Sequence, residues 1–100
     1  MLYAIWADDA EDAAAKRAAT RADHLAYLDA LQAKGRLILA GPRPRADTTD
    51  VAAAGVRGSL LVVEFDDLSQ AQAWAANDPY ALAGVFAETR IEPFVQVFPR

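Results

Sequence analysis

The sequence contains no cysteine and only one histidine. The absence of cysteine excludes disulfide bonds, thiolate catalysis and metal sites with cysteine ligands. A single histidine adds little basis for a metal centre, and no glycine-rich loop follows the first predicted strand to bind a nucleotide. We therefore expect no metal and no cofactor. A reducing compartment is compatible with the lack of cysteine, and we expect a cytoplasmic protein.

Long hydrophobic runs and clustered basic residues are also missing. No apolar run approaches the ~20 residues that a membrane helix needs, and the first residues lack the basic leader of a signal peptide. The chain has 10 basic and 14 acidic residues, a net charge of −4. Because nucleic-acid binding depends on a basic patch, we expect neither nucleic acid nor a membrane as partner.

What is present is the composition of a small globular domain. The chain has 100 residues, of which 54% are hydrophobic and 24% charged. A chain of this length forms one domain, and we assign residues 1–100 to it. The hydrophobic pattern predicts helices over 11–34 and 69–77, and strands over 2–7, 36–40, 58–65 and 89–98.

Local signals refine these elements. Asp8 and Asp9 are candidates for a turn and a helix N-cap, and Ser69 is one for the second helix. Thr20 or Asp23 could cap a new helix after a break near Thr20. We expect Gly41-Pro42 to end the second strand, residues 43–57 to form a long loop and residues 81–86 a short extra turn. Pro93 indicates an edge position or a bulge in the last strand.

The order β-α-β-β-α-β is typical of the ferredoxin-like α+β fold. It places both helices on one face of a four-stranded antiparallel sheet. The strand from Leu2 to Ala7 is apolar on both sides, and two helices cannot cover both faces. We therefore expect two copies to pack their helix-free faces together as a homodimer. Alternatively, the strands are apolar only because the chain is rich in alanine and leucine.

His24 is the only side chain that titrates near neutrality without help. On the predicted helix, Leu28 and Leu31 fall within about 40° of it, so His24 lies on the buried stripe. A buried imidazole needs a hydrogen-bond partner, because an unpaired one costs ~1–3 kcal/mol. Two interpretations stay open at this point: a functional acid or base, and a core histidine satisfied by a backbone carbonyl.

Asp78 lies in Asn77-Asp78-Pro79-Tyr80, which is an ordinary helix stop. An aspartate in the last turn faces the negative end of the helix dipole, and a protonatable imidazole nearby would offset this cost. Since the two helices are antiparallel in the predicted fold, we expect a ring nitrogen of His24 within ~2.6–3.2 Å of the Asp78 carboxylate, or one water away. Ser59 shares strand parity with Leu61 and Val63, so it points to a buried face. It contacts either a ligand or a neighbouring strand, and no nucleophile elbow surrounds it.

Several short motifs, spread from one end of the chain to the other, resemble the YciI-like family. They are Leu2 to Ala7, Arg21-x-x-His24-Leu25, Gly35-Arg36-Leu37, Ala40-Gly41-Pro42, Gly55 to Ser59, Phe65, Ala71-x-Ala73-Trp74, Asp78-Pro79-Tyr80, Ala83-Gly84-Val85 and Glu92-Pro93-Phe94. The resemblance implies a dimeric α/β barrel related to muconolactone isomerases. It also implies an active site marked by a histidine and an aspartate, at His24 and Asp78 in this sequence.

The function implied is that of a small-molecule enzyme in which His24 is the acid or base and Asp78 orients it. We expect lyase or isomerase chemistry on a lactone or halogenated enol, since one related member is a dehydrochlorinase of a chlorinated hydroxymuconolactone. Arg21, Gly41, Ser59 and Tyr80 are the expected substrate-binding residues. The alternative is a dimeric small-ligand-binding or regulatory module without turnover.

Overall fold

The computed structural model describes every residue from Met1 to Arg100. The strands are β1 (Leu2–Asp9), β2 (Leu37–Pro44), β3 (Val56–Glu64) and β4 (Phe86–Phe94). The helices are α1 (Ala13–Ala33), α2 (Val51–Ala54), α3 (Leu68–Ala76) and α4 (Pro79–Leu82). All strands pair antiparallel in the order β2-β3-β1-β4, which confirms the predicted ferredoxin-like α+β fold.

The two faces of the sheet have different surroundings. Tyr3 and Ile5 of β1 point to one face, where they pack with Leu61 and Val63 of β3. Leu31 of α1 and Ala71 of α3 complete this buried cluster, so both long helices cover the same face. On the opposite face no helix packs, and the side chains of Trp6 and Leu39 are 38% and 49% exposed.

Helix α1 is continuous, so the predicted break near Thr20 is wrong. The alanine-rich sequence favours helix through this point, and the exposed Asp23 does not cap a new helix. Asp8 and Asp9 do not form a turn either. Both lie in β1, where Asp9 pairs with Phe86 of β4, and α1 begins only at Ala13.

Strand β2 continues through Gly41 and Pro42 to Pro44, so the predicted end at these residues is wrong. Proline is tolerated there because β2 is an edge strand and needs no second ladder of hydrogen bonds. The predicted loop over 43–57 is correspondingly shorter. It contains α2, and β3 already begins at Val56 rather than at Gly58.

In the second half of the chain, the observed helices and strands begin and end at other residues than predicted. Asp67, not Ser69, caps α3, since its Oδ1 accepts the N–H of Gln70 at 2.9 Å. The extra turn predicted over 81–86 is helix α4, which begins at Pro79. Strand β4 runs from Phe86 to Phe94 instead of 89–98. The edge position of Pro93 is confirmed, because β4 is the outermost strand.

Candidate functional site

A cavity of about 610 Å³ lies between α1 and the connection that runs from β2 through α2 to β3. One side of α1 forms the first wall, and residues of the β2–α2–β3 connection form the second. Ser59 and Leu61 of β3 also line the space. The volume is that of a pocket for a small organic molecule.

His24 and Asp78 form a buried hydrogen bond. Nδ1 of His24 lies 2.8 Å from Oδ1 of Asp78, and the two residues are 8% and 3% exposed. The predicted contact between them is therefore confirmed, although they lie 54 residues apart in the chain. The partner of the ring is a carboxylate, so the alternative of a backbone carbonyl is wrong.

Asp78 does not lie in the last turn of a helix, where the sequence had predicted it. Asp78 lies beyond the end of α3 and is the N-cap of α4, where its Oδ1 accepts the N–H of Tyr80 at 2.9 Å. Its carboxylate therefore accepts from the first turn of α4, directly after the end of α3. The carboxylate is held by two donors, one from the backbone of α4 and one from the imidazole of α1.

The hydrogen bond fixes the tautomer of the neutral imidazole. An ionised carboxylate only accepts, so the proton is on Nδ1 and Nε2 has a free lone pair. No group of the chain bonds to Nε2, while every buried side-chain nitrogen or oxygen atom has a partner. Nε2 is thus accessible, and His24 lines the cavity. This is the orientation of a general base with its orienting acid behind it.

Tyr80 holds the plane of the imidazole. Its ring is stacked on His24 with the centroids 3.8 Å apart and the planes at 11°. The Arg17 guanidinium lies 4.9 Å from the centre of the Tyr80 ring. Tyr80 is buried and borders the cavity, so it restrains the base as well as the space for a ligand.

Arg17 connects three elements at the site. Its Nε and Nη2 donate to Asp9 at 2.7 and 2.8 Å, and Nη2 also donates to the Ser59 hydroxyl at 2.9 Å. The Ser59 hydroxyl therefore accepts from a side chain of α1 and not from a neighbouring strand, which was one of its two predicted partners. Arg17 and Asp9 were not among the site residues predicted from the sequence. The sequence did carry a signal for Arg17: its spacing from Arg21 and His24 places all three residues on one side of α1.

The cavity brings together most of the predicted site residues. Arg21, Gly41, Ser59 and Tyr80 all line it with His24, whereas Asp78 lies behind the imidazole. Arg45, which follows β2, also lines it and was not predicted. The substrate-binding roles of these residues stay predictions, as does the cytoplasmic location.

The charge of Asp78 also acts on Tyr27. Burial raises the pKa of the Tyr27 phenol, and the nearby negative charge of Asp78 raises it further. The Tyr27 hydroxyl donates to the carbonyl of Trp74 at 2.8 Å.

The structure offers no group of three His, Asp or Glu side chains that could hold a metal ion. The expectation that the protein needs no cofactor stays a prediction. None of the helices combines the length and apolar character required to cross a bilayer.

The comparison with known proteins adds curated relatives and a solved structure. The chain is 48% identical over 98 residues to the protein YciI of Escherichia coli O6:H1, covering 98% of this chain and all of that protein. An uncharacterized protein of Haemophilus influenzae is 45% identical over the same length.

The solved structure is the 5-chloro-2-hydroxyhydroquinone dehydrochlorinase TftG of Burkholderia phenoliruptrix, in complex with 2,5-dihydroxybenzoquinone. It is 32% identical, with a TM-score of 0.84 over 95% of this chain and 94% of that one. The substrate in the name of that enzyme is a chlorinated hydroquinone, not the chlorinated hydroxymuconolactone that the sequence resemblance had attributed to a related dehydrochlorinase. The model of the YCII-related domain matches residues 1–95. The resemblance seen in the sequence is thus confirmed, and the chain belongs to the YCII-related domain family.

Proposed function

We propose that this protein is a small-molecule enzyme in which His24 transfers a proton at carbon and Asp78 orients the imidazole. The observation that carries the proposal is the buried 2.8 Å bond from Nδ1 to Asp78, which leaves Nε2 free on the cavity side. The likeness to a dehydrochlorinase supports the same class of chemistry. Arg21, Gly41, Ser59 and Tyr80 are the proposed substrate contacts.

The proposed step begins at a carbon beside a carbonyl of a ring substrate, and an enol enters it as its keto tautomer. Nε2 takes the proton from that carbon, and the electron pair of the C–H bond moves into the enolate. In a lyase reaction, the enolate electrons form a C=C bond and a halide leaves with the electrons of its C–X bond. In an isomerase reaction, the same proton returns to a different carbon. Asp78 stabilises the imidazolium that exists between these steps.

The proposed assembly is a homodimer that covers the helix-free face of the sheet. Val62 and Leu60 of β3 point to this face, beside Trp6 of β1 and Leu39 of β2. A second copy is the simplest way to bury an apolar surface of this kind.

The test is a turnover screen of chlorinated hydroquinones, halogenated enols and lactones, with halide release and ultraviolet absorbance as readouts. We expect His24→Gln to lower kcat by about 10²-fold or more, and Asp78→Asn to have an effect of similar order. Asp29→Asn, a change of the same type on the exposed side of α1, should leave kcat unchanged.

Two results would contradict the enzyme proposal. The first is turnover that persists in His24→Gln at the wild-type rate. The second is tight binding of a compound with no conversion at any pH, which would favour a dimeric ligand-binding or regulatory module.

A further inference from the structure

Two cations of the cavity have no carboxylate partner. Arg21 and Arg45 form no ion pair, although the chain has 14 acidic residues. Arg17 differs from them, because Asp9 binds it through both carboxylate oxygens. Besides Asp9, the only carboxylate on the lining is Glu11. The cavity is therefore richer in positive than in negative charge, in a protein whose net charge is −4.

Arg45 is positioned by the segment after α2. Its backbone N–H donates to the carbonyl of Gly55 at 3.0 Å. Gly55 has φ of +81°, and a Cβ at this residue would lie 3.3 Å from Cδ of Arg45. The aliphatic part of Arg45 thus lies against a residue that has no side chain. This contact holds Arg45 on the wall of the cavity formed by the β2–α2–β3 connection.

Arg21 lies on the other wall, one helical turn before His24 on the same side of α1. Both walls of the cavity therefore present an unpaired guanidinium. A guanidinium donates two parallel N–H groups that match the two oxygens of a carboxylate, and its charge persists at any physiological pH.

We propose that the substrate is a small organic acid and that Arg21 and Arg45 bind its carboxylate. The inference rests on the proposed function, which places the reacting carbon at Nε2 of His24. Binding an acidic group away from the reacting carbon positions the substrate for proton transfer. Arg45 is then a specificity-determining residue supplied by the β2–α2–β3 connection.

The experiment compares two probes of similar shape, 2,5-dihydroxybenzoate, which carries a carboxylate, and the uncharged 2,5-dihydroxybenzamide, which lacks its second acceptor oxygen. Binding is measured by isothermal titration, and the imidazole NMR signals of His24 report whether the probe occupies the cavity. We expect the acid to bind about tenfold more tightly than the amide. Arg45→Gln should remove this preference, and Arg21→Gln should weaken it.

Arg57→Gln is the matched control, because it removes the same charge from an exposed residue outside the cavity. It should keep the preference for the acid. Equal binding of both probes, no binding of the acid at millimolar concentration, or equal losses in Arg45→Gln and Arg57→Gln would overturn the proposal. Failure of the proposed function looks different: the acid binds with the expected preference, and no related acid is converted.

Discussion

Asp78 accepts both of its side-chain hydrogen bonds through a single carboxylate oxygen, Oδ1. One donor is the backbone N–H of Tyr80, so the position of the carboxylate is set by the first turn of α4 and does not depend on the imidazole. The ring of Tyr80 then stacks on His24. Two adjacent contacts of the same short helix thus fix both the tautomer and the plane of the base.

Replacement of Asp78 by alanine should therefore change the tautomer of His24. The hydrogen bond to Asp78 favours the tautomer with the proton on Nδ1. Without this acceptor, the neutral ring should shift toward the Nε2–H form. The ¹⁵N chemical shifts of the single imidazole measure this directly. The variant also loses a helix cap, at a cost of ~1 kcal/mol, which circular dichroism can follow. An unchanged tautomer, with Asp29→Ala as control, would show that Asp78 does not orient the ring.

The charge of Asp78 also affects the pKa of the Tyr27 phenol. Since burial and this charge raise the pKa of Tyr27, the folded state holds the phenolic proton more tightly than the unfolded state. This contribution to stability is complete below the unfolded pKa of about 10 and is lost as the pH rises through the folded pKa.

Asp78→Asn should lower the pKa of Tyr27 toward its ordinary value, because it removes the charge and keeps the shape. A titration of the ¹³Cζ signal of Tyr27 measures the change, and Asp29→Asn is the control. In Tyr27→Phe, we expect a loss of about 1 kcal/mol at neutral pH from the bond to Trp74. The fall in stability above pH ~10 should then be smaller than in the wild type. A Tyr27 pKa that is the same in both aspartate variants would contradict this account.

At the scale of elements, the helices and strands that could be predicted are those whose signal lies in residues next to one another in the sequence. The apolar run of β1 and the alanine-rich α1 were recognised, and so was the pairing of His24 with Asp78, because antiparallel helices bring them together. Other features depend on distant partners. Asp9 resembled a turn residue because the sequence does not show that Arg17 binds it. In the same way, β2 extends past Pro42 because β3 is there to pair with it.

Gly58 is another residue whose role depends on a neighbouring strand. It lies opposite Asp8 of β1, and a Cβ there would overlap the Ala7 carbonyl oxygen and the guanidinium of Arg43. Arg43 crosses the sheet at this point to donate to the same Ala7 carbonyl at 2.7 Å. The guanidinium also lies 4.0 Å from the centre of the Trp6 ring.

We expect Gly58→Ala to destabilise the protein by about 2 kcal/mol or more, because the added methyl group meets backbone and cannot be accommodated without a shift of the strands. Gly41→Ala is the matched control, since no atom lies within 4 Å of a Cβ at Gly41. Urea denaturation of both variants measures the difference. Equal stabilities would mean that the strands adjust freely at Gly58.

At the scale of the whole molecule, the helix-free face is apolar at the centre of β1, β2 and β3 and charged toward its borders, where Asp8, Arg43 and Glu64 lie. Glu92 and Arg90 of β4 pair with Ala4 and Trp6, so they point to this face. The apolar part is the region to be buried against a second copy, and the charged strand borders it. A stable apolar interface of this type usually buries over ~2,000 Å² in total.

Leu39→Asp should dissociate the proposed dimer, because it places a charge on the apolar part of this face. Leu82→Asp, on the 71% exposed Leu82 of α4, should leave the dimer intact. Sedimentation velocity at micromolar concentration distinguishes the two. A wild-type protein that sediments as a monomer, or a Leu39→Asp variant as dimeric as the wild type, would refute this interface.

The strand order also determines when the sheet can form during synthesis. β1 lies between β3 and β4, and β2 pairs only with β3, so each strand pair joins residues before the α2 segment to residues after it. During synthesis, the first 44 residues have no strand in the native order to pair with until β3 has emerged. His24 belongs to the early part of the chain and Asp78 to the late part. His24 therefore has no orienting carboxylate until Asp78 has been synthesised and α4 packs against α1.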